Sequence, residues 1–258
     1  MQLAQLAGIA GLIIWGYMSL LFMLAVLRRD NSLADIGWGP GFVLVAVSVV
    51  MLQADFTARQ LLVTSLIAVW GLRLSMRIFR RNWGKGEDFR YQRWRSQWRN
   101  HFFLRSYLQV FLLQGFFMWL ISLPAIIVAA NVEPGLNWLD FIGLAVWLTG
   151  FFFESVSDWQ LDRFLADKEN RGKVLDSGLW RYSRHPNYFG EVAMWWGIFL
   201  ISLSQPWGWA GIIGPVTITT LIVFVSGIPL LEKTMMKNAG YREYAQRTSV
   251  LFPLPPGK

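Results

Sequence analysis

Cysteine is absent from this chain, histidine occurs only twice, and charged residues make up 16% of its 258 positions. Without cysteine there is no disulfide framework, no thiolate nucleophile and no cysteine metal site. Two isolated histidines, His101 and His185, do not make a histidine metal site either, so no metal is expected. Soluble domains carry about a quarter charged residues, and this chain has too few to coat a water-facing surface. What it has instead is apolar bulk: 54% hydrophobic residues, with 15 Trp and 19 Phe. These residues lie in long blocks nearly free of charge, and the charges lie between the blocks. That pattern excludes a soluble globular enzyme and a disordered chain, and it leaves a polytopic membrane protein.

A helix needs about 20 apolar residues to cross the hydrocarbon core. Residues 3–27, 107–130, 138–156 and 209–231 meet this plainly. Residues 40–54 and 61–79 form two more spans around a short polar turn at Asp55 and Arg59, with Arg73 and Arg77 near the end of the second, where long basic side chains can snorkel. A seventh, 189–204, is short and begins with Glu191. The first block has no basic segment before it and no small-residue cleavage site after it, so it reads as a retained helix. The expectation is an all-α membrane protein, a seven-helix transmembrane bundle forming a single domain over 1–258.

Charge sets the expected orientation. Twenty-one of the 24 basic residues fall at Arg28 and Arg29, in 80–106, in 157–188 and in the tail from Lys233 to Lys258. Arg73 and Arg77 end a helix, and only Arg59 falls in an opposite loop. The positive-inside rule then places the N-terminus outside and the C-terminus in the cytoplasm. The net charge of +8 follows from topology and attraction to anionic lipid headgroups, so nucleic acid is not an expected partner. The two long loops, 80–106 and 157–188, are where chemistry is sought, since long loops are usually functional.

The densest polar signal is Gly178-Leu-Trp-Arg-Tyr-Ser-Arg-His-Pro-Asn-Tyr-Phe-Gly-Glu191. Pro186 favours an extended residue before it and opens a helix at its first turn, which sets Asn187 and Glu191 on one face. With Arg184 and His185 beside them, these groups could hold the hydroxyl or amide of a polar ligand. The structural alternative is a helix cap with an interfacial Arg–Glu pair. Ionisable residues inside a membrane domain are functional candidates by default. Upstream, Glu154, Asp158 and Asp162 recur every fourth residue on one helical face, followed by Arg163, Lys168, Arg171 and Lys173. Acids followed by cations suit the hydroxyls and phosphates of a nucleotide, and equally suit a solvated helix end. No Gly-x-Gly-x-x-Gly or Walker loop is present. Glu232 stands at a membrane edge, where a carboxylate needs a partner. Tyr241 and Tyr244 sit three apart on an expected helix stopped by Pro253, Pro255 and Pro256. Near the N-terminus, Asp35 in Asn31–Pro40 reads as a helix cap or a proton-handling group. Gly84–Asp88 reads as a turn, with Glu87 and Tyr91 as further proton donors.

Tyr182-Ser-Arg-His-Pro-Asn-Tyr-Phe-Gly-Glu191, with Asp35-Ile-Gly-Trp-Gly, Gly86-Glu-Asp-Phe-Arg-Tyr91 and Tyr241-Arg-Glu-Tyr244, resembles the DUF1295 family of the steroid 5-alpha-reductase-like superfamily, over essentially the whole chain. Sterol C14 reductases and isoprenylcysteine carboxyl methyltransferases carry stretches similar to the Arg-His-Pro core. The resemblance implies a seven-helix fold with a cofactor cavity open to the cytoplasm, and NADPH delivering hydride to the beta carbon of an enone. It implies helices 1–4 on the substrate side and 138–258 as the cofactor-binding part. Cofactor contacts carried over are Asp158, Tyr182, Arg184, His185, Asn187, Tyr188, Glu191, Tyr241 and Tyr244. Arg163, Lys168, Arg171, Glu232 and Lys233 are carried over more loosely to the phosphates and adenosine. Trp195 and Trp38 are the substrate-side counterparts. The steroid enzymes' Gln-Glu pair in the second helix has no clear counterpart here; Asp35, or Glu87 with Tyr91, stands in its place, so these three are the candidate catalytic residues.

The leading expectation is a membrane-embedded, NADPH-dependent reductase of a carbon–carbon double bond in a hydrophobic, enone-like steroid or lipid. It sits in a multi-pass setting in a bacterial inner membrane and needs no obligate protein partner. A methyltransferase using S-adenosylmethionine is the first alternative, disfavoured by the cations of 163–173. A non-enzymatic lipid-binding membrane protein is the second, disfavoured by the number of ionisable groups held within one membrane domain.

Overall fold

The computed structural model describes residues 1–53, 56–82, 84–133 and 135–257. Asp55 of the expected turn and Lys258 of the basic tail lie outside the described residues. No strand occurs among the described residues. Among the described residues, six helical stretches are long and apolar enough to cross a membrane: Leu3–Arg28, Leu33–Met51, Ala58–Asn82, Phe89–Ala130, Trp138–Ala166 and Gly208–Met235. The remaining long helix, Pro186–Ser202, has 17 residues, at the lower end of the length that crosses the hydrocarbon core. The protein is thus an all-helical integral membrane protein with six candidate spans where the sequence pattern gave seven.

The chain divides into two compact units, residues 1–137 with 201–214, and residues 138–200 with 215–258. In the first unit, α1 (Leu3–Arg28), α2 (Leu33–Met51) and α3 (Ala58–Asn82) are followed by a short helix, α4 (Phe89–Trp98). Then come α5 (Phe102–Ser106), a π-helical run over Tyr107–Leu112, and α6 (Leu113–Ala130). Helix α2 begins seven residues before the expected span at 40–54 and takes in Gly37, Gly39, Pro40 and Gly41. Propensity alone disfavours this, and packing supplies the reason. A Cβ on Gly39 would stand 2.2 Å from the carbonyl oxygen of Gly71 in α3, so the two backbones touch. Two residues further on and on another face of the helix, Gly41 makes room for Met118 of α6. Asp35 accordingly lies in the first turn of α2 and not at its cap; Ser32 holds the cap position.

Arg59, the single cation of the opposite loop, is buried in α3. It donates to the carbonyls of Gly135 at 2.7 Å and Glu133 at 3.3 Å. Beside it, Gln60 donates to those of Ala129 and Asn131 at 3.0 and 3.1 Å. The start of α3 thereby satisfies carbonyls left open at and beyond the end of α6.

The second unit holds α7 (Trp138–Ala166), α8 (Pro186–Ser202) as far as Leu200, α9 (Ile213–Thr220) from Pro215, a π-helical run over Leu221–Val225, α10 (Ile228–Met235) and α11 (Ala239–Arg247). Helices α7 and α8 meet at glycines spaced seven apart on each. A Cβ on Gly190 would lie 2.5 Å from both the Glu154 nitrogen and the Gly150 oxygen, and one on Gly197 would lie 2.6 Å from the Gly143 oxygen. Small residues at a crossing let membrane helices pack backbone to backbone. Both expected loops are largely helical. Residues 80–106 contain the end of α3 and all of α4 and α5, while α7 runs on to Ala166, and the segment from 167 to 185 carries short 3-10 turns. Large apolar side chains point outward from both units, among them Leu12, Leu27 and Phe116 in the first and Phe141, Phe152 and Phe224 in the second. Lipid is the solvent that makes such exposure stable.

Candidate functional site

Each unit holds a cluster of polar side chains that gathers residues singled out in the sequence. In the first, Asp88 caps α4, accepting from the backbone nitrogen of Arg90 at 2.9 Å. The cap directs Arg90 and Tyr91 toward Asp35. Tyr91 donates its hydroxyl to Oδ1 of Asp35 at 2.8 Å, and Arg90 pairs with Oδ2 at 2.7 Å. Glu87 is clasped by Arg95 through both oxygens, at 2.8 and 2.9 Å, and also accepts from the backbone nitrogen of Asn31 at 2.9 Å. The backbone nitrogen of Asp88 donates to Ser32 Oγ at 2.8 Å. The Gly84–Asp88 turn is therefore tied at two points to the chain just before α2. Tyr91 is buried, with Trp94 edge-on to its ring. Asp35, Glu87 and Tyr91, separated by up to 56 residues, share one network. Trp38 lies one turn beyond Asp35 on α2, half-buried and edge-on to Phe42 at 5.0 Å.

In the second unit the segment before α8 is the organiser. Ser183 is fully buried; its hydroxyl donates to the Leu251 carbonyl at 2.8 Å and accepts from the His185 nitrogen at 3.1 Å. The Arg184 nitrogen donates to the Ser249 carbonyl at 2.8 Å, and the Leu254 nitrogen to the Tyr182 carbonyl at 3.0 Å. The C-terminal tail thus runs along residues 182–185 and ties them down as far as Pro186, the first residue of α8. Tyr244 of α11 donates to the carbonyl of Trp180, and Trp180 to that of Ser157 at 3.1 Å.

This scaffold puts Arg184 and His185 against Glu232 of α10. Arg184 Nε stands 2.9 Å and His185 Nε2 3.1 Å from the same Glu232 oxygen, with the Tyr241 hydroxyl at 3.4 Å. The guanidinium also donates to the Ala245 carbonyl at 3.0 Å. Burial lowers the His185 pKa below its ordinary value although Glu232 pulls the other way, so the ring is neutral at pH 7. Burial pushes the Tyr241 and Tyr244 hydroxyls well up, with Glu232 adding to the first and Tyr241 to the second. Tyr188 stacks on His185 at 5.5 Å. Past the Pro186 turn, Asn187 donates to the buried Asp158 of α7 at 3.2 Å.

A hollow of about 180 Å³ opens beside this cluster, with Lys173, Arg184, Asn238, Tyr241 and Tyr244 among its lining residues. That is room for at least a ring-sized part of a nucleotide. The lining fits such a part: the Asn238 amide and the Lys173 ammonium can donate, and Tyr241 and Tyr244 offer ring surface. A second hollow, of about 330 Å³, is lined by Trp159, Gln160, Arg163, Asp167, Asn170 and Ser177 among others.

Of the residues singled out in the sequence, Asp158, Arg184, His185, Asn187, Tyr188, Glu232, Tyr241 and Tyr244 come together in this unit. Arg184 is engaged there as a clasp for Glu232. Glu191 is half-buried on α8, and Trp195 is buried further along the same helix. Lys168, Arg171, Tyr182 and Lys233 lie exposed, with Tyr182 joined to the tail through its backbone. Arg163 belongs to the second hollow. Four contributors were not singled out individually: Ser183, Arg90, Arg95 and Asn238. The first two sit inside quoted motifs, which is the one signal that marks them.

The family model described as a protein of unknown function, DUF1295, matches residues 21–248. A Schizosaccharomyces pombe protein named as uncharacterized, C594.04c, is 25% identical over 77% of this chain and 65% of its own length. The steroid 5-alpha-reductase DET2 of Arabidopsis thaliana is 40% identical over 29% of the chain and 27% of its own. The 3-oxo-5-alpha-steroid 4-dehydrogenase 1 of Bos taurus is 39% identical over 29% and 31%. The chain spans less than two thirds of the length of each of these relatives. All three are eukaryotic, so they lend no support to a bacterial inner membrane. No solved structure matches significantly.

Proposed function

The chain belongs to the DUF1295 family, and from that footing we propose that it is a membrane-embedded reductase of a carbon–carbon double bond in a hydrophobic, enone-like steroid or lipid, using NADPH. The observation that carries this reading is the assembly around residues 182–187. One short segment brings Arg184, His185 and Asn187 into contact with Glu232 and Asp158 beside a hollow of nucleotide-ring size. The partial matches to two enzymes named as steroid reductases support it.

In this reading the second unit, with its residues 138–200 and 215–258, binds the cofactor, and helices α1–α6 take the substrate. Asp158 and Asn187 meet the nicotinamide-bearing half, with Glu191 and Tyr188 on the same helix. Lys173 and Asn238 line the space for a ring, and the exposed Lys168, Arg171 and Lys233 answer the phosphates. Arg184 and His185, locked by Glu232, hold the shape of the site. When bound, NADPH supplies the hydride. Tyr91 turns its hydroxyl from Asp35 to the substrate oxygen as general acid. Asp35 and Arg90 fix the ring beforehand, and Glu87, clasped by Arg95, positions the turn that carries them. Trp38 in the first unit and Trp195 in the second are the tryptophans this reading assigns to the substrate. The seventh crossing by α8, with the N-terminus outside and the C-terminus cytoplasmic, is part of the same proposal; reporter fusions at 170 and 205 test it.

Titration of the purified protein with NADPH, followed by nicotinamide fluorescence, tests the cofactor. Binding that S-adenosylmethionine fails to compete supports the reductase. Absence of binding at millimolar NADPH overturns it, and binding of S-adenosylmethionine alone replaces it with methyl transfer.

A further inference from the structure

The second hollow is distinct in character from the one beside Arg184. It holds one cation, Arg163, and one anion, Asp167, with Trp159 on its wall and the polar groups of Gln160, Asn170 and Ser177 around them. Arg163 has no carboxylate partner among the described residues; its guanidinium lies 5.6 Å from the centre of the Trp159 ring. Asp167 uses Oδ1 to cap the following 3-10 turn, accepting from the Glu169 nitrogen at 2.9 Å, and Oδ2 is left for another donor.

The approach to this hollow is apolar. Leu148, Phe152 and Trp159 are 53%, 54% and 58% exposed. At 100° per residue they fall with Arg163 within about 60° of one another around α7. The outward stripe of this spanning helix therefore ends at a guanidinium. From Phe152 to Arg163 the helix rises about 16 Å, roughly half the ~30 Å hydrocarbon core. Tryptophan at the end of a span marks the headgroup level. An acyl chain laid along the stripe brings its phosphate to Arg163 and its headgroup to Asp167.

We infer that the hollow over Trp159, Arg163 and Asp167 binds the headgroup of a zwitterionic phospholipid, its phosphodiester on Arg163 and its primary ammonium on Asp167. The charge pairing selects the partner. An anionic headgroup such as phosphoglycerol satisfies Arg163 and sets its polar end against the Asp167 carboxylate with no cation to offer, whereas phosphoethanolamine satisfies both. The cation–π contact keeps the guanidinium at the wall of the hollow. This inference does not rest on the reductase reading, and it withdraws Arg163 from the cofactor's phosphates.

Native mass spectrometry of the full chain, released from nanodiscs of equimolar phosphatidylethanolamine and phosphatidylglycerol, tests it. The wild type is expected to retain one phosphatidylethanolamine at least fivefold over phosphatidylglycerol. Arg163→Gln loses retention of both lipids, Asp167→Asn loses the preference while keeping phosphatidylglycerol, and Lys237→Ala, an exposed cation outside the hollow, changes neither. Equal or greater retention of phosphatidylglycerol by the wild type overturns the proposal, without need of any variant. So does undiminished phosphatidylethanolamine on Arg163→Gln. Displacement of the lipid by NADPH assigns the hollow to a nucleotide and overturns it as well.

Discussion

Arg184 and Glu232, 48 positions apart in sequence, stand 2.9 Å from each other through Nε and Oε1, and both are largely shielded from solvent. Glu232 is the carboxylate that pairs with that guanidinium and also faces His185 and Tyr241. Removing one member of a shielded ion pair costs more than the pair itself contributes, because the other charge is left behind in a poor solvent. Glu232→Gln is expected to destabilise the protein by about 3 kcal/mol. Lys233→Ala, exposed on the same helix, should stay within about 0.5 kcal/mol. Thermal unfolding in detergent reads both. Equal melting temperatures for the two variants would show that the ion pair carries no stability.

His185 adds a pH dependence whose sign follows from its environment. Its folded-state pKa lies below the ordinary value of 6.5, chiefly through burial. Above pH 6.5 the ring is neutral in both folded and unfolded chains, and its contribution is fully present. As pH falls below 6.5 the unfolded chain takes up a proton that the folded one resists, so stability drops until the folded pKa is passed. The steepest loss from this one group is about 1.4 kcal/mol per pH unit. His185→Gln is expected to flatten that part of the profile between pH 7 and 5. Parallel melting curves for wild type and variant across this window would remove His185 as the group responsible.

Tyr91 makes a different kind of prediction, because its hydroxyl has one partner, Asp35, and that carboxylate keeps Arg90 when the hydroxyl is removed. Tyr91→Phe should therefore cost only about 1 kcal/mol of stability. If the residue is the general acid of the proposed reaction, turnover falls by 100-fold or more while NADPH affinity changes less than twofold. A variant with unimpaired turnover would leave Tyr91 a packing residue and move the search for the proton donor elsewhere.

Much of the second unit's polar cluster is visible in the sequence because Arg184, His185, Asn187 and Glu232 are costly in apolar surroundings, and costly residues stand out. The membrane class is legible for the same reason. What the sequence leaves dark depends on contacts between distant segments. Ser183 is an ordinary serine until the tail at Leu251 and the nitrogen of His185 close on it. Helix α2 starts at Leu33, through Gly37, Gly39 and Pro40, because α3 comes close enough at Gly71 to reward a bare backbone. The loop at 80–106 is largely helical because Asp88 caps α4 and its aromatic face, Tyr91, Trp94 and Trp98, stacks on itself. Arg59 reads as an exception to the charge pattern, and the carbonyls of Glu133 and Gly135 explain it.

The glycines of α7 and α8 were the least legible feature and give the sharpest test. Gly190 meets backbone on two sides, the Glu154 nitrogen and the Gly150 oxygen, each 2.5 Å from where a Cβ would stand. Neither is the end of a flexible side chain, so Gly190→Ala forces the helices apart. Overpacking of this kind costs about 1–3 kcal/mol, against a helix-propensity gain of up to about 1 kcal/mol. The same separation pulls on the Asn187–Asp158 bond, which spans the two helices one turn away, so NADPH affinity should fall together with stability. Gly8→Ala in α1 is the matched control, since nothing lies within 4 Å of its would-be Cβ. There only the propensity term remains, and melting should hold or rise. If Gly190→Ala melts no lower than Gly8→Ala, the close crossing of α7 and α8 is wrong, and the placement of Asn187 against Asp158 goes with it.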